Sequence, residues 1–297
     1  MNVLFDMETG DPDDLITLLM LLANPDVELS AITCWQGSPI QIGLINHVLN
    51  LANLSIPVGG LNQDEPKELS PYYKDTVGSW SVALATQTPT QVISQTLRDN
   101  PDTHILTGAP LTNLGDFLSS QSQVIQSMTT QGGFLGSLVP NPLEKFKDKK
   151  AIRTYNLTND TDAFDLVNYS EKILNLTFVT KDLCHGFMYT PEIHKTISFG
   201  SSPVQQLLKS CLKRYALAGK SKAMHDPLAM LYMLYPEIGQ AKSIEMSYIV
   251  DAKGHSVFSS VDGQGTRFGL VEYDADAAWS NFKNICEIQH RNQLKIK

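Results

Sequence analysis

Short apolar runs alternate with helix-period segments along much of this 297-residue chain. Val3–Phe5, Val27–Thr33, His104–Leu106 and Ile173–Val179 have the length and composition of strands. Leu15–Ala23, Ile40–Ala52, Thr90–Arg98, Leu111–Phe117 and Ala163–Val167 read as helices. Parallel strands need a crossover, usually a helix, to join them. The alternation therefore predicts an α/β fold: a mostly parallel, open central sheet with helices on both faces. In such sheets the ligand site lies beyond the carboxyl ends of the strands. The chain shows no repeat and no low-complexity linker, so residues 1–297 are expected to form one domain.

Two long polar stretches interrupt the pattern, Leu61–Trp80 and Gly136–Arg153. Loops of this length read either as lids and substrate loops or as surface excursions. Tyr72, Tyr73 and Trp80 in the first are lid candidates and equally packing anchors.

The chemistry concentrates after the first strand. Between Asp6 and Asp14 the sequence is Asp-Met-Glu-Thr-Gly-Asp-Pro-Asp-Asp, five acids in nine positions. An aspartate or two at a helix start serve as caps. Five carboxylates repel one another unless a cation or shared protons relieve them. The donors are oxygens, which suit a hard ion such as calcium or magnesium. A second segment, Met224-His225-Asp226-Pro227, joins an imidazole to a carboxylate at a helix start. It offers a proton donor in His225 and a ligand in Asp226, or simply a capped helix. Gly108, after the strand-like run at Leu106, permits close approach to its backbone or marks an ordinary tight turn. Asn156 is a hydrogen-bonding group for a sugar hydroxyl or a turn residue.

A net charge of −8 disfavours a nucleic-acid partner. The four cysteines, Cys34, Cys184, Cys211 and Cys286, form no CxxC pair, so zinc and redox motifs are unsupported. No signal peptide and no membrane span are visible. The expectation is a soluble, cytoplasmic protein with no membrane partner.

Taken together, these segments resemble the inosine–uridine-preferring nucleoside hydrolase family. The family's Asp-x-Asp-x-Gly-x-Asp-Asp looks like Asp6–Asp14; its Gly-Pro-Leu-Thr-Asn looks like Ala109–Asn113; its Glu-Phe-Asn looks like Thr154–Asn156. Its His-Asp-Pro-Leu-Ala is intact at His225–Ala229. The run Asp6–Asp14 with Gly37–Gly43 and Leu143–Phe146 also resembles a divergent branch, the nucleoside-hydrolase-like type III effectors of plant-pathogenic bacteria.

The resemblance implies calcium-dependent hydrolysis of the N-glycosidic bond of a ribonucleoside or related riboside, in the manner of purine or pyrimidine salvage. By position, Glu8, Asp14, Asp226 and the Gly108 carbonyl correspond to metal ligands. Glu8 also corresponds to the base that takes a proton from water, and His225 to the leaving-group acid. Asp13, Ser38, Thr154 and Asn156 fall at substrate-binding positions, and Asp6 at an acid that orients the others. The partner implied is a small riboside, and homo-oligomers occur in the family.

Four departures stand out. Glu8 replaces an aspartate, and one extra residue lies between Gly10 and Asp13, so the loop must bulge or re-aim. A water displaced by about an ångström costs ~10²-fold in rate. Ser38 stands where the family often has an asparagine. Thr154 replaces a glutamate on the sugar's 5′ side, which points to a phosphate or other 5′ substituent, with Lys145, Lys147, Lys149, Lys150 and Arg153 just upstream, or to a merely solvated basic loop. The alternative to a hydrolase is a catalytically weak or inactive binding protein for ribosides or ADP-ribose. Phosphatases of the haloacid-dehalogenase and HD types fit poorly, because the second acid is Glu8 and His225 has no histidine partners in sequence.

Overall fold

In the computed structural model, which describes residues 1–63, 69–217 and 221–288, the alternation becomes a nine-stranded sheet. In chain order the strands are β1 (Asn2–Met7), β2 (Glu28–Cys34), β3 (Val58–Gly59), β4 (His104–Thr107), β5 (Ile125–Gln131) and β6 (Ile173–Val179). They are followed by β7 (Met188–Tyr189), β8 (Lys222–Ala223), β9 (Gly239–Val250), β10 (Ser256–Asp262) and β11 (Arg267–Tyr273). The sheet order is β10-β9-β11-β6-β5-β4-β1-β2-β3, and β7 pairs with β8 separately. From β11 to β3 every neighbouring pair is parallel; β9 and β10 close that side antiparallel.

Strands β1 to β6 follow the doubly wound order 3-2-1-4-5-6, which reverses direction between β1 and β4. There, successive crossovers leave for opposite faces, and the helices diverge to open a crevice at the strands' carboxyl ends. Helix Pro12–Ala23 packs on Pro203–Leu217, His225–Leu234 and Ala275–Glu287. Pro89–Asp99, Thr112–Ser120 and Thr161–Asn168 pack in series as a second layer. Val3, Leu4 and Phe5 of β1 are wholly buried between the layers, as a central parallel strand requires. Among the described residues, five α-helices begin at a proline (Pro12, Pro39, Pro89, Pro191 and Pro203), where a fixed φ and a missing N–H cost nothing.

The strands and helices expected from the sequence are all present, with ends shifted by a few residues. β5 and the β9–β11 unit were not foreseen. β5 reads Ile-Gln-Ser-Met-Thr-Thr-Gln, and its hydroxyls hide its character: Thr129 Oγ1 is satisfied by His104 Nε2 at 2.9 Å. All four cysteines are free and buried. Among the described residues, no helix is long and apolar enough to cross a membrane.

Candidate active site

Asp6 sits at the end of β1 with no solvent exposure. Its Oδ1 accepts from Thr33 Oγ1 (2.7 Å) and Asn113 Nδ2 (2.8 Å), and its Oδ2 from Thr107 Oγ1 (2.9 Å). Asp6 thus ties the ends of β1, β2 and β4 together beneath the crevice. Burial pushes its carboxyl up to about 6, against the lowering effect of those three donors.

Above it lies a cavity of about 300 Å³. Glu8, Asp13, Asp14, Gly108, Thr154, Asn156, His225 and Asp226 all line it. Segments more than 200 residues apart are therefore brought to one place, at the carboxyl ends of β1, β4 and β5 and the start of the helix His225–Leu234.

Asp13, Asp14 and Asp226 are the core of the acidic floor. All three are buried, and carboxylate oxygens from each lie within 4.8 Å of one another. Burial pushes the Asp14 carboxyl well up, and the charges of Asp226, Glu8 and Asp13 add to it. Asp226 is raised in the same way, first by burial and then by Asp13 and Asp11. Asp13 differs: burial would raise it, but Lys222 and His225 outweigh burial and hold it well below the usual range. Lys222 Nζ lies 3.5 Å from Asp13 Oδ1 and also pairs with Asp11. Asp13 Oδ2 accepts from the backbone N–H of His225 (2.9 Å) and of Asp226 (3.3 Å), capping that helix. One ammonium therefore offsets only part of this charge. A hard divalent cation would relieve the rest, and three buried carboxylates are the ligand chemistry it requires. The residues present fit such an ion.

Gly108 touches the floor directly. A Cβ there would lie 2.4 Å from Asp226 Oδ2, so only glycine admits the carboxylate. Its carbonyl accepts from Asn156 Nδ2 at 2.8 Å, which leaves one lone pair for a ligand. The same Nδ2 also reaches Gln131 O (3.1 Å) and Oε1 (3.0 Å).

Glu8 is placed differently from the aspartates. Its side chain folds back on its own loop, with Oε2 accepting from Gly10 N (2.8 Å) and Oε1 from Asp11 N (3.2 Å). Its backbone N–H donates to Asp14 Oδ1 (2.8 Å). Burial, with the charges of Asp11 and Asp13, pushes its carboxyl up to about 7, against the lowering effect of the Gly10 amide. It lines the cavity but does not join the oxygen cluster of Asp13, Asp14 and Asp226.

His225 Nδ1 lies 3.5 Å from Asp13 Oδ2. Its Nε2 is buried and has no hydrogen-bond partner among the described residues. The ring of His185 meets that of His225 edge-on at 5.2 Å.

Two expectations fare differently. Ser38 is wholly buried at the start of the helix Pro39–Leu51, its N–H held by Gln41 Oε1 at 2.8 Å, and it does not line the cavity. The lid aromatics are packing anchors. Tyr73 is wholly buried and donates to Asp11 O (3.0 Å), Tyr72 donates to Cys211 O, and Trp80 Nε1 donates to Ile40 O (2.9 Å). Residues 64–68 of that stretch lie outside the described residues. The aromatic ring at the cavity is Tyr155, with Trp35 edge-on to it at 6.4 Å.

Lining or contacting residues left unassigned from the sequence include Asp11, Gln131, Tyr155, Lys181 and Lys222. Gln131 ends β5 and Lys181 follows β6, so the rule that sites gather at carboxyl ends would have found both. Lys222 carries no comparable signal.

Comparison with known proteins agrees with this geometry. The model for "Inosine-uridine preferring nucleoside hydrolase" matches residues 3–289. An uncharacterized protein of Aquifex aeolicus is 28% identical over 243 residues, 78% of this chain and 82% of that one. The pyrimidine-specific ribonucleoside hydrolase RihA of Shewanella baltica is 25% identical over 269 residues, 81% of this chain and 80% of that one. Among solved structures, the plant nucleoside hydrolase PpNRh1 superposes with a TM-score of 0.74 at 16% identity, covering 97% of this chain and 99% of that one, a likeness of fold.

Proposed function

The chain belongs to the inosine-uridine preferring nucleoside hydrolase family, and from that premise we propose that it hydrolyses the N-glycosidic bond of a ribonucleoside or related riboside in a calcium-dependent reaction. The observation that carries the reading is the convergence of three buried carboxylates, Asp13, Asp14 and Asp226, in the cavity that His225 also lines.

Asp14, Asp226 and the Gly108 carbonyl would hold the calcium ion, with Glu8 or Asp13 completing the set. Calcium bound there would supply positive charge that acidifies water and fixes the vicinal hydroxyls of a ribose. Calcium rather than magnesium suits a mixed set of carboxylate and backbone oxygens, because it tolerates irregular coordination.

The remaining chemistry falls to the chain's own groups. Cleavage passes through an oxocarbenium-like sugar: the C1′–N bond breaks with its electron pair going to the base, and a water oxygen bonds to C1′. Glu8 takes a proton from that water. A carboxylate has about four acceptor sites, and the Gly10 and Asp11 amides use two. His225 Nε2 delivers a proton to the departing base, with Nδ1 oriented by Asp13. Asp13 and Asn156 Oδ1 hold sugar hydroxyls, and Tyr155 offers a ring face to the base.

The folded-back Glu8 carboxylate favours one other reading, a protein that binds ribosides without turning them over. Release of ribose from a panel of nucleosides, nucleotides and ADP-ribose, with calcium and with chelator, tests both. Calcium-dependent turnover is the expected result; calcium-dependent binding without turnover would replace the hydrolase with the binding protein.

A further inference from the structure

Positive charge gathers at one wall of the same cavity. Lys181 lines it from the end of β6. Its Nζ lies 3.4 Å from the carbonyl of Arg153, the residue before Thr154. Lys145 Nζ is 2.7 Å from His185 Nδ1, whose ring abuts His225. Among the described residues, Lys145, Arg153 and Lys181 have no carboxylate within ion-pair distance, whereas Lys222 is paired with both Asp11 and Asp13. The trio's mutual repulsion is felt: burial lowers the Lys181 ammonium, and the charges of Lys145 and Arg153 lower it further.

The sheet sets the spacing. β6 is two strands from β4 and three from β1. At about 4.8 Å per strand, Lys181 stands roughly 10 Å along the sheet from the Gly108 turn. A sugar whose diol faces the acidic floor projects its C5′ away from that floor, and turned toward β6 it would meet Thr154 and Lys181. Thr154 presents a hydroxyl there and no charge, with Oγ1 accepting from Gly133 N at 3.3 Å. A neutral 5′-hydroxyl would leave Lys181 without a counter-ion, while a phosphate dianion satisfies it with charge-assisted hydrogen bonds, and Lys145 and Arg153 add to the positive field. The cavity of about 300 Å³ is at the lower end of small-molecule sites, which suits a riboside with a single phosphate better than a dinucleotide-sized ligand.

We infer that the preferred ligand is a riboside 5′-monophosphate, with Lys181 contacting the phosphate and Lys145 and Arg153 supplying the field around it. This rests on the riboside reading above and names the substrate class for that same cavity. Of the five basic residues in the Gly136–Arg153 stretch, only Lys145 and Arg153 act on Lys181. Lys147 pairs instead with Glu144 at 3.9 Å, so it serves as a control.

The test is calorimetric binding of ribose 5-phosphate against ribose, and of ADP-ribose, to the full chain with calcium. Alongside it, kcat/KM is compared for a nucleoside and its 5′-monophosphate. Wild type should favour the phosphorylated ligand by ~10-fold or more, the usual scale of a hydrogen bond between charged groups. Lys181→Gln should cut that preference ~10-fold, Arg153→Gln should cut it less, and Lys181→Arg should restore much of it. Lys147→Gln should leave it intact. Equal binding of ribose and ribose 5-phosphate, or an unchanged preference in Lys181→Gln, would overturn the inference; tighter binding of ADP-ribose than of ribose 5-phosphate would overturn the monoester assignment. A Lys181-dependent phosphate preference with no turnover would keep this subsite and end the hydrolase reading. Turnover of nucleosides with no gain from phosphate would do the reverse.

Discussion

Replacing Gly108 with alanine puts the floor of the cavity under direct test. The new Cβ would lie 2.4 Å from Asp226 Oδ2, 2.5 Å from Cγ and 2.7 Å from Oδ1, where ordinary contact begins at 3.4 Å. The backbone at Gly108 is not left-handed, so alanine brings no φ strain and the effect is purely steric. The Asp226 carboxylate must retreat by about 1 Å, and a displacement of that size costs ~10²-fold in kcat/KM. Overpacking costs about 1–3 kcal/mol in stability. A chain of this length has roughly 0.6 kcal/mol/K of unfolding entropy, so Tm should fall by only about 2–5 °C. Gly115→Ala is the comparator, because its Cβ would meet Ala163 Cβ at 2.8 Å, where two helices pack and no carboxylate is among its nearest atoms. It should destabilise by a similar amount and keep its calcium affinity. Calorimetric calcium binding, thermal unfolding and riboside turnover on the two variants separate the effects. A folded Gly108→Ala protein with wild-type calcium affinity and turnover would refute the placement of Asp226 in the metal site.

Calcium at 100 times its Kd should stabilise the wild type by about 2.7 kcal/mol, or about 4 °C in Tm, and chelator should reverse it. Asp14→Ala or Asp226→Ala should show no such response in the same scan; a retained response would remove either residue from the ligand set. His225→Ala should slow purine ribosides more than p-nitrophenyl riboside, whose leaving group needs no proton, and equal losses on both would exclude His225 as the acid. Burial lowers the His104 imidazole to about 4, so the unfolded chain binds a proton in a range where the folded chain does not. Stability from this group is therefore complete above about pH 6.5 and is lost as pH falls toward 4. Wild type should lose about 3 kcal/mol relative to His104→Gln across that window in chemical denaturation, and parallel curves would contradict it.

The parallel core was legible because β1, β2, β4 and β6 are short apolar runs separated by helical periods. The acidic floor was legible because acids crowd within Asp6–Asp14 and recur at Asp226. What stayed hidden depends on residues that meet only in three dimensions. Lys222 pairs with Asp11 and Asp13 across 211 and 209 residues, and an isolated lysine carries no periodicity to announce that. Lys181 faces the cavity because β6 follows β5 in the sheet, and β5 itself was concealed by its threonines. Ser38 is a different case: position in the motif suggests a ligand contact, while the structure places it, wholly buried, at the start of the helix Pro39–Leu51. The β9–β11 unit was missed because its strands mix charged and apolar residues, as partly exposed strands do.

The Glu8 loop is where sequence and structure explain each other. Two departures from the family motif, a longer acid and an extra loop residue, appear independent in sequence. In three dimensions they meet, since the amides of Gly10 and Asp11 need an acceptor and the added methylene lets the Glu8 carboxylate reach them. On that reading the loop and the side chain are a matched pair. Glu8→Asp, though it restores the family's residue, should then lower turnover and stability. A shorter side chain strands two partly buried amides, at about 1–2 kcal/mol, or about 2–3 °C in Tm. If Glu8→Asp instead raises riboside turnover with Tm unchanged, the folded-back carboxylate contributes nothing to the loop, and the glutamate is simply an impaired version of the aspartate.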